Sequence, residues 1–385
     1  MMEDDNVNEV RVGVIGLGNM GKGHIGYMLE NKVKGLELTA VADKSQAARE
    51  WAEQNLPAET TFFTDPYELI ASPLIDAVLI CTPHYSHPEL AIACFEKNKH
   101  VLIEKPAGVY TKQIREMNEA AAKSDVVFAI MYNQRTNPLY QKLKELIDSG
   151  ELGEIRRTNW IITNWFRSQS YYDSGTWRAT WGGEGSGVLL NQVIHQLDLW
   201  QWTIGMMPKR LRAFCYFGKH RQIEVENEVT AYAEYENGAT GIFVTTTAEA
   251  PGTNRFEIAG TKGKIVIEDG KLTFSRLRVS EPEFNESFKG GFGSPECWTF
   301  EVPIKGEYPD HRGITQNWIN AILHNEPLLA PGAEGIKGVM LANAMLLSTW
   351  EDNWIELDFD EEHYWNQLKK RIETSNYKEE VIHGV

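Results

Sequence analysis

The chain has 385 residues, a mass of 43.7 kDa and a formal charge of −16 at pH 7, which is long for one domain of roughly 100–200 residues and predicts two. Its 42% hydrophobic and 24% charged residues exclude intrinsic disorder, collagen-like repeats and fibrous coiled coil. The 54 acidic residues against 38 basic ones create a field that repels phosphate backbones and anionic lipid, so neither nucleic acid nor a membrane surface is expected as a partner.

In chain order, Val10 to Ile15 is a short apolar run ending in glycines, Met20 to Glu30 has helical spacing, and Leu36 to Ala42 is strand-like again. Together they read as a β-α-β unit. The alternation continues with a helix from Lys44 to Asn55, a strand at Thr61 to Phe63, and a helix from Pro66 to Ala71 capped by Asp65. A strand from Ala77 to Cys81, a helix from Pro88 to Lys97, a strand from Val101 to Ile103, a helix from Lys112 to Lys123 and a strand from Val126 to Met131 complete it. Apolar strands spaced by helices predict an α/β domain with a parallel sheet covered on both faces, whose ligand sits at the carboxyl ends of the strands.

Beyond it, Pro138 to Ser149 reads as an amphipathic helix. Strand-like runs then follow one another at Ile155 to Trp165, Arg210 to Phe217, Val229 to Tyr235, Ala239 to Thr247, Arg255 to Gly260, Lys264 to Glu268 and Leu272 to Arg276. With Asn237-Gly238 as a hairpin turn, they predict an α+β domain with a mostly antiparallel sheet. Residues 281–310 show no clear pattern, and helices resume at Ile314 to His324 and Glu334 to Trp350. The expected domains are 1–135 and 136–385, and tryptophan follows that division: of 12, only Trp51 precedes residue 150.

Four cysteines, Cys81, Cys94, Cys215 and Cys297, stand far apart with no C-x-x-C pair, so neither a metal site nor a disulfide framework is expected. The acidic start Met-Met-Glu-Asp-Asp-Asn is unlike a signal peptide, and no apolar run nears the ~20 residues of a membrane span. A cytoplasmic protein is expected.

Gly16-Leu17-Gly18-Asn19-Met20-Gly21 follows a strand and opens a helix, so the backbone turns tightly and its amides face a pyrophosphate at the helix N-terminus. Asp43 ends the second strand, 22 residues beyond Gly21, where a carboxylate accepts hydrogen bonds from an adenosine ribose. Strand, glycines, helix, strand and acid in this order predict a dinucleotide. Asp43 repels a 2′-phosphate and so favours NAD, with the neighbouring Lys44 leaving NADP open.

Two more strand ends carry polar clusters, Cys81-Thr82-Pro83-His84-Tyr85-Ser86-His87 and Glu104-Lys105-Pro106. Elsewhere Glu104 and Lys105 would read as a surface ion pair. At the edge of a dinucleotide sheet, Lys105 is set to hydrogen-bond a substrate hydroxyl and stabilise oxyanion character. In the second half, glycines between Gly182 and Gly187 lead into a helix through Trp200, on which Asn191 and His195 are four apart and Asp198 three further on. This is a polar stripe on an apolar helix. From that helix alone His195 reads as a core histidine; beside a dinucleotide domain it becomes the proton acceptor that oxidation of an alcohol requires.

These segments resemble the Gfo/Idh/MocA family, named for glucose-fructose oxidoreductase, inositol dehydrogenase and a rhizopine-catabolism protein. The resemblance rests on Gly16 to Gly21, Cys81-Thr82-Pro83, Glu104-Lys105-Pro106, Tyr132-Asn133-Gln134-Arg135 and the glycine-led helix of His195, and spans nearly the whole chain. It implies an N-terminal Rossmann domain and a C-terminal α+β domain whose large, open sheet makes the contacts of a homodimer or homotetramer. It also implies NAD(P)-dependent oxidation of a sugar or cyclitol, with Lys105 and His195 as the catalytic pair. Gly16, Gly18, Asn19, Met20, Gly21, Asp43, Lys44, Cys81, Thr82, Pro83, His87, Glu104, Lys105 and Asn133 are the expected cofactor contacts. Many members carry aspartate where this chain has Asn191, and a neutral amide stabilises a protonated Lys105 or His195 less than a carboxylate does.

The expected reaction moves a hydride from a secondary carbinol to NAD while His195 takes the hydroxyl proton, Lys105 holds that oxygen and Asn191 orients the substrate. Sugars stack their apolar faces on aromatic rings, so Trp165, Trp177 and Trp181, with Arg135, Arg167, Arg178 and His311, are candidates for the pocket, at least half of the tryptophans being core or interface residues. Two other functions use the same residues: cleavage of a glycoside through transient oxidation at C3 with NAD recycled, and a non-catalytic NAD-binding sensor. The presence of both Lys105 and His195 argues against the sensor.

Overall fold

The apolar run at the start forms β1 (Val10–Ile15), almost wholly buried, in a computed structural model that describes residues 9–376. Around it lie β2 (Leu36–Ala42), β3 (Thr61–Phe63), β4 (Ala77–Ile80), β5 (His100–Ile103) and β6 (Phe128–Ile130), in the order β3-β2-β1-β4-β5-β6 with every pairing parallel. The order reverses between β1 and β4, which opens a crevice at the carboxyl ends of those two strands. Helices Asn19–Leu29, Gln46–Asn55, Pro66–Ala71, His87–Glu96 and Thr111–Ala121 alternate with the strands. Their starts are set locally: the Asp65 carboxylate accepts from Tyr67 N–H at 2.8 Å and the Ser45 hydroxyl oxygen from Ala48 N–H at 3.4 Å.

This first unit takes in residues up to Thr136 and also Tyr308–Val339, a segment expected with the second domain. The helix Asp310–His324 packs its fully buried Trp318 here, and Ile130 N–H donates to Ala330 C=O at 3.1 Å, extending β6 outward.

The second unit, Asn137–Glu307 with Met340 onward, is built on nine strands. These are β7 (Ile155–Ile162), β8 (Arg210–Phe217), β9 (Glu226–Glu234), β10 (Thr240–Thr246), β11 (Asn254–Gly260), β12 (Gly263–Glu268), β13 (Lys271–Leu277), β14 (Cys297–Glu301) and β15 (Ile355–Glu356). Their order is β14-β13-β12-β11-β7-β10-β9-β8-β15; β7 and β10 pair in parallel and the other pairs are antiparallel. The turn between β9 and β10 has Gly238 at φ +81°, and the Asn237 side chain accepts from Ala239 N–H at 3.1 Å. The patternless stretch resolves into a short helix, Glu281–Ser287, and β14.

On the inner face of this sheet Trp160 stacks on Phe256 with centroids 4.1 Å apart, and Trp200, from the covering helix Ile194–Ile204, stacks on Phe243. The Trp200 ring N–H donates to Thr158 Oγ1 at 2.9 Å, so a large apolar ring is buried without losing a hydrogen bond. The opposite face carries exposed Phe214, Tyr216 and Tyr232. Among the described residues no helix is long and apolar enough to cross a membrane.

Candidate active site

At the end of β1, Gly16 has φ +94°, and a Cβ there would lie 2.8 Å from the Cys81 carbonyl at the end of β4. A Cβ on Gly21 would fall 1.9 Å from the Gly16 carbonyl oxygen, so the helix closes on its own loop only with glycine there. Gly18 is different, because nothing lies within 4 Å of its Cβ position. No neighbour requires that glycine, and the open space over the helix N-terminus, with Asn19 and Met20 in its first turn, suits a pyrophosphate. Asp43, at the end of β2, accepts from Leu17 N–H at 2.7 Å and Ser45 N–H at 2.8 Å, tying the loop to the strand and keeping lone pairs for a ribose. Lys44 beside it is exposed, and Thr82 and Pro83 follow Cys81 next to the loop.

Asn133 adds a third feature. Its amide nitrogen donates to Asp310 and to the Tyr308 hydroxyl, which fixes the orientation of the amide, and its oxygen is buried without a hydrogen-bond partner among the described residues. A buried acceptor left open is costly until a ligand donates to it, as a carboxamide N–H does. Glycine loop, Asp43 and Asn133 therefore fit NAD.

At the end of β5 the buried Glu104 carboxylate accepts from Lys105 N–H at 3.0 Å and meets the His24 ring nitrogen Nε2 at 2.6 Å. Burial alone would raise this carboxyl; the hydrogen bond and charge of His24, with Lys105 and His311 nearby, outweigh it and hold it at about 2. The other His24 nitrogen meets Tyr27 Oη at 2.5 Å, and Tyr27 Oη meets Thr315 Oγ1 at 2.8 Å. His311, paired with Asp310 at 3.0 Å, lies edge-on against His24. His24, Tyr27, Asp310 and His311, with Met20 and Gly23, line a shallow pocket within the first unit.

In the second unit the carboxylate of Glu226 organises the glycine-led turn. Its Oε1 accepts from Ser186 Oγ at 2.7 Å, Gly187 N–H at 2.8 Å and Leu189 N–H at 3.0 Å, and a Cβ on Gly187 would sit 2.0 Å from the Glu226 carbonyl oxygen. The helix that starts there, Val188–Asn191, is short. Val193 N–H bonds back to Val188 C=O five residues earlier, and a new helix begins at Ile194. The single helix expected through Trp200 is thus broken at Gln192 and Val193, and Asn191 and His195 do not share one continuous helical face. His195, half-buried, lies in the first turn of the second helix with Asp198 three residues on.

Behind Asn191 stands buried Glu184. Its two oxygens accept from the Asn191 amide and from Ala179 N–H at 2.6 Å, and burial pushes its carboxyl up to about 7 despite those hydrogen bonds. Tyr171 gathers the rest: its hydroxyl accepts from Arg178 at 3.0 Å, Gln192 at 3.3 Å and Asn191 at 3.5 Å. Trp165 and Trp177 are half-buried, while Trp181 is buried against Trp350 in the core.

Residues 10–132 match the model of an oxidoreductase family with an NAD-binding Rossmann fold, and residues 140–266 match the GFO/IDH/MocA C-terminal domain. The chain belongs to the Gfo/Idh/MocA family. It is 25% identical to the myo-inositol 2-dehydrogenase of Thermotoga maritima over 91% of this chain and 99% of that protein. It is 24% identical to the levoglucosan dehydrogenase of Pseudarthrobacter phenanthrenivorans, again over 91% and 99%. The WlbA dehydrogenase from Bordetella pertussis, solved in complex with NADH and UDP-GlcNAcA, superposes with a TM-score of 0.76 at 25% identity, covering 91% of this chain and 100% of that one.

Three of the expected ligand contacts are tied into this Gfo/Idh/MocA chain by internal hydrogen bonds. The His87 ring is fully buried with both nitrogens against backbone carbonyls, Pro106 at 2.8 Å and Thr82 at 2.7 Å, so it clasps two strand-end loops and reaches no cofactor. Arg135 is sealed in the first unit, its side chain 1% exposed, bound to Glu334 at 2.5 Å and to Leu329 C=O at 3.1 Å, so it reaches no substrate. Glu104 sets one carboxylate oxygen against the His24 ring and the other on the Lys105 N–H, and so positions that backbone. His24, Tyr171 and Glu184 escaped the sequence reading. His24 and Glu104 lie 80 positions apart; for Glu184 the signal was present, a lone acid inside a glycine turn.

Proposed function

We propose that this protein oxidises a secondary hydroxyl of a sugar, glycoside or cyclitol to a ketone with NAD, in the cytoplasm. The reading is supported by relatives that are inositol 2-dehydrogenases and a levoglucosan dehydrogenase. The observation that carries it is the Glu104–His24 pair, which fixes the Lys105 backbone at the end of β5 in a unit whose glycine loop is shaped for a dinucleotide. The glycine loop, Asp43 and Asn133 would hold NAD, which would supply the hydride acceptor. Lys105 supplies an ammonium to the oxygen that becomes the carbonyl, His195 takes the hydroxyl proton, and Asn191, oriented by Glu184, hydrogen-bonds the substrate. Asp43 favours NAD over NADP through its negative charge at the ribose. The exposed aromatic row Phe214, Tyr216 and Tyr232 on the outer face of the nine-stranded sheet supports a homodimer or homotetramer.

The test is a panel of monosaccharides, glycosides and inositols with NAD and NADP, followed by the absorbance of reduced nicotinamide. His195→Ala is expected to abolish turnover while leaving NAD affinity nearly intact. Full activity in that variant overturns the assignment.

A further inference from the structure

The second unit contains an aromatic and arginine ladder. Arg167 lies over Trp165 at 5.3 Å and over Tyr171 at 5.0 Å, and Arg178 lies over Tyr171 at 4.8 Å and over Trp177 at 4.6 Å. Two guanidiniums on one ring stand within about 10 Å of each other. A third, Arg221, donates to the Arg167 carbonyl oxygen at 2.8 Å and stacks on Phe166.

Among the described residues none of these three arginines is ion-paired with a carboxylate. Their donors go to neutral acceptors: Phe166 C=O, the Tyr171 hydroxyl, Arg167 C=O and His220 C=O. Among the described residues Arg167 Nε and the Trp165 ring N–H are buried without an acceptor. Scarcity of acids is not the reason in a chain with a charge of −16. On the sheet of the same unit Arg157, Arg210, Arg212 and Arg255 each hold a carboxylate. Glu184, the buried acid whose carboxyl feels the Arg178 charge, hydrogen-bonds instead to Ala179 N–H and the Asn191 amide.

Stacking occupies the faces of a guanidinium and leaves its in-plane N–H edge for an acceptor, and that fork matches a carboxylate or phosphate. The ladder is also joined to the residue proposed to orient the substrate, since Arg178 and Asn191 both donate to the Tyr171 hydroxyl. We infer that the substrate is an anionic sugar, its carboxylate or phosphate held by Arg167 and Arg178 while its hydroxyl is presented at Asn191. This rests on the dehydrogenase reading above and narrows it from sugars and cyclitols in general to charged ones.

The experiment compares matched pairs with the full-length protein and NAD: glucuronate and galacturonate against glucose and galactose, glucose 6-phosphate against glucose, and UDP-glucuronate against UDP-glucose. Turnover is measured as kcat/KM and binding by calorimetry. Charge-assisted hydrogen bonds predict a preference of at least ~10-fold for the charged member. The preference is expected to shrink with added salt and to collapse in Arg167→Met and Arg178→Met, with Arg178→Lys intermediate because charge remains and the planar fork does not. Whether acids or phosphate esters win identifies the source of the anion. Equal or tighter binding of the neutral members overturns the inference, as does a preference that survives in the double Met variant. If charged sugars bind tightly but none of the panel is oxidised, the anion site stands and the dehydrogenase reading fails.

Discussion

Glu184 offers the sharpest quantitative test. Its carboxyl is raised by burial from 4.5 to about 7 in the folded protein, and each unit is worth 1.36 kcal/mol. Between those two values the folded chain keeps a proton that the unfolded chain has released, so stability falls as pH rises through the window, by about 3 kcal/mol in all. Above about 7 the fall stops, and the folded state carries the full cost of a buried charge. Glu184→Gln removes the titration. The glutamine oxygen still accepts from Ala179 N–H, and the Asn191 amide turns over to accept from the new NH2 group. Glu226 is also raised by burial and tilts wild type and variant alike, so the informative quantity is the difference between them. Urea unfolding of both proteins, at intervals from pH 4.5 to 8.5, should show the variant gaining about 3 kcal/mol on the wild type across the range. Two curves that stay parallel would refute a proton held on Glu184.

Three further variants concern the cofactor. Gly18→Val meets only open space within the chain, so its melting temperature should stay near that of the wild type while NADH affinity, read by fluorescence titration, falls at least tenfold. Gly21→Ala, whose Cβ meets the Gly16 carbonyl oxygen at 1.9 Å, should lose both. Asp43→Asn removes the charge that repels a 2′-phosphate, and the ratio of NADP to NAD kcat/KM is expected to rise by about tenfold or more. An unchanged ratio would mean that Asp43 serves only its two backbone hydrogen bonds.

The parts of this molecule legible in the sequence are those whose cause is local. β1, the glycine loop and Asp43 are encoded by residues close to one another, and the alternation of strand and helix follows from side-chain periodicity. Hairpins such as the one at Asn237-Gly238 carry their own turn chemistry. What escaped depends on distant partners. Nothing in Arg135 announces Glu334, and nothing in Tyr308–Val339 says that its helix joins the first core. The turn that leads into Asn191 is held by Glu226, on β9, a constraint invisible to helical spacing. For the same reason His195 could be singled out by type, while its surroundings could not.

The return of Tyr308–Val339 to the first unit also bears on synthesis. Translation proceeds from the N-terminus, and a domain that ended at Thr136 would close while the ribosome was still making the rest. Here the sheet waits for Trp318, for the strand extension at Ala330 and for the partner of Arg135. The dinucleotide unit is therefore among the last parts of the nascent chain to be completed, after β7 to β14 have emerged, and a message truncated at the apparent domain boundary would encode an unfinished core.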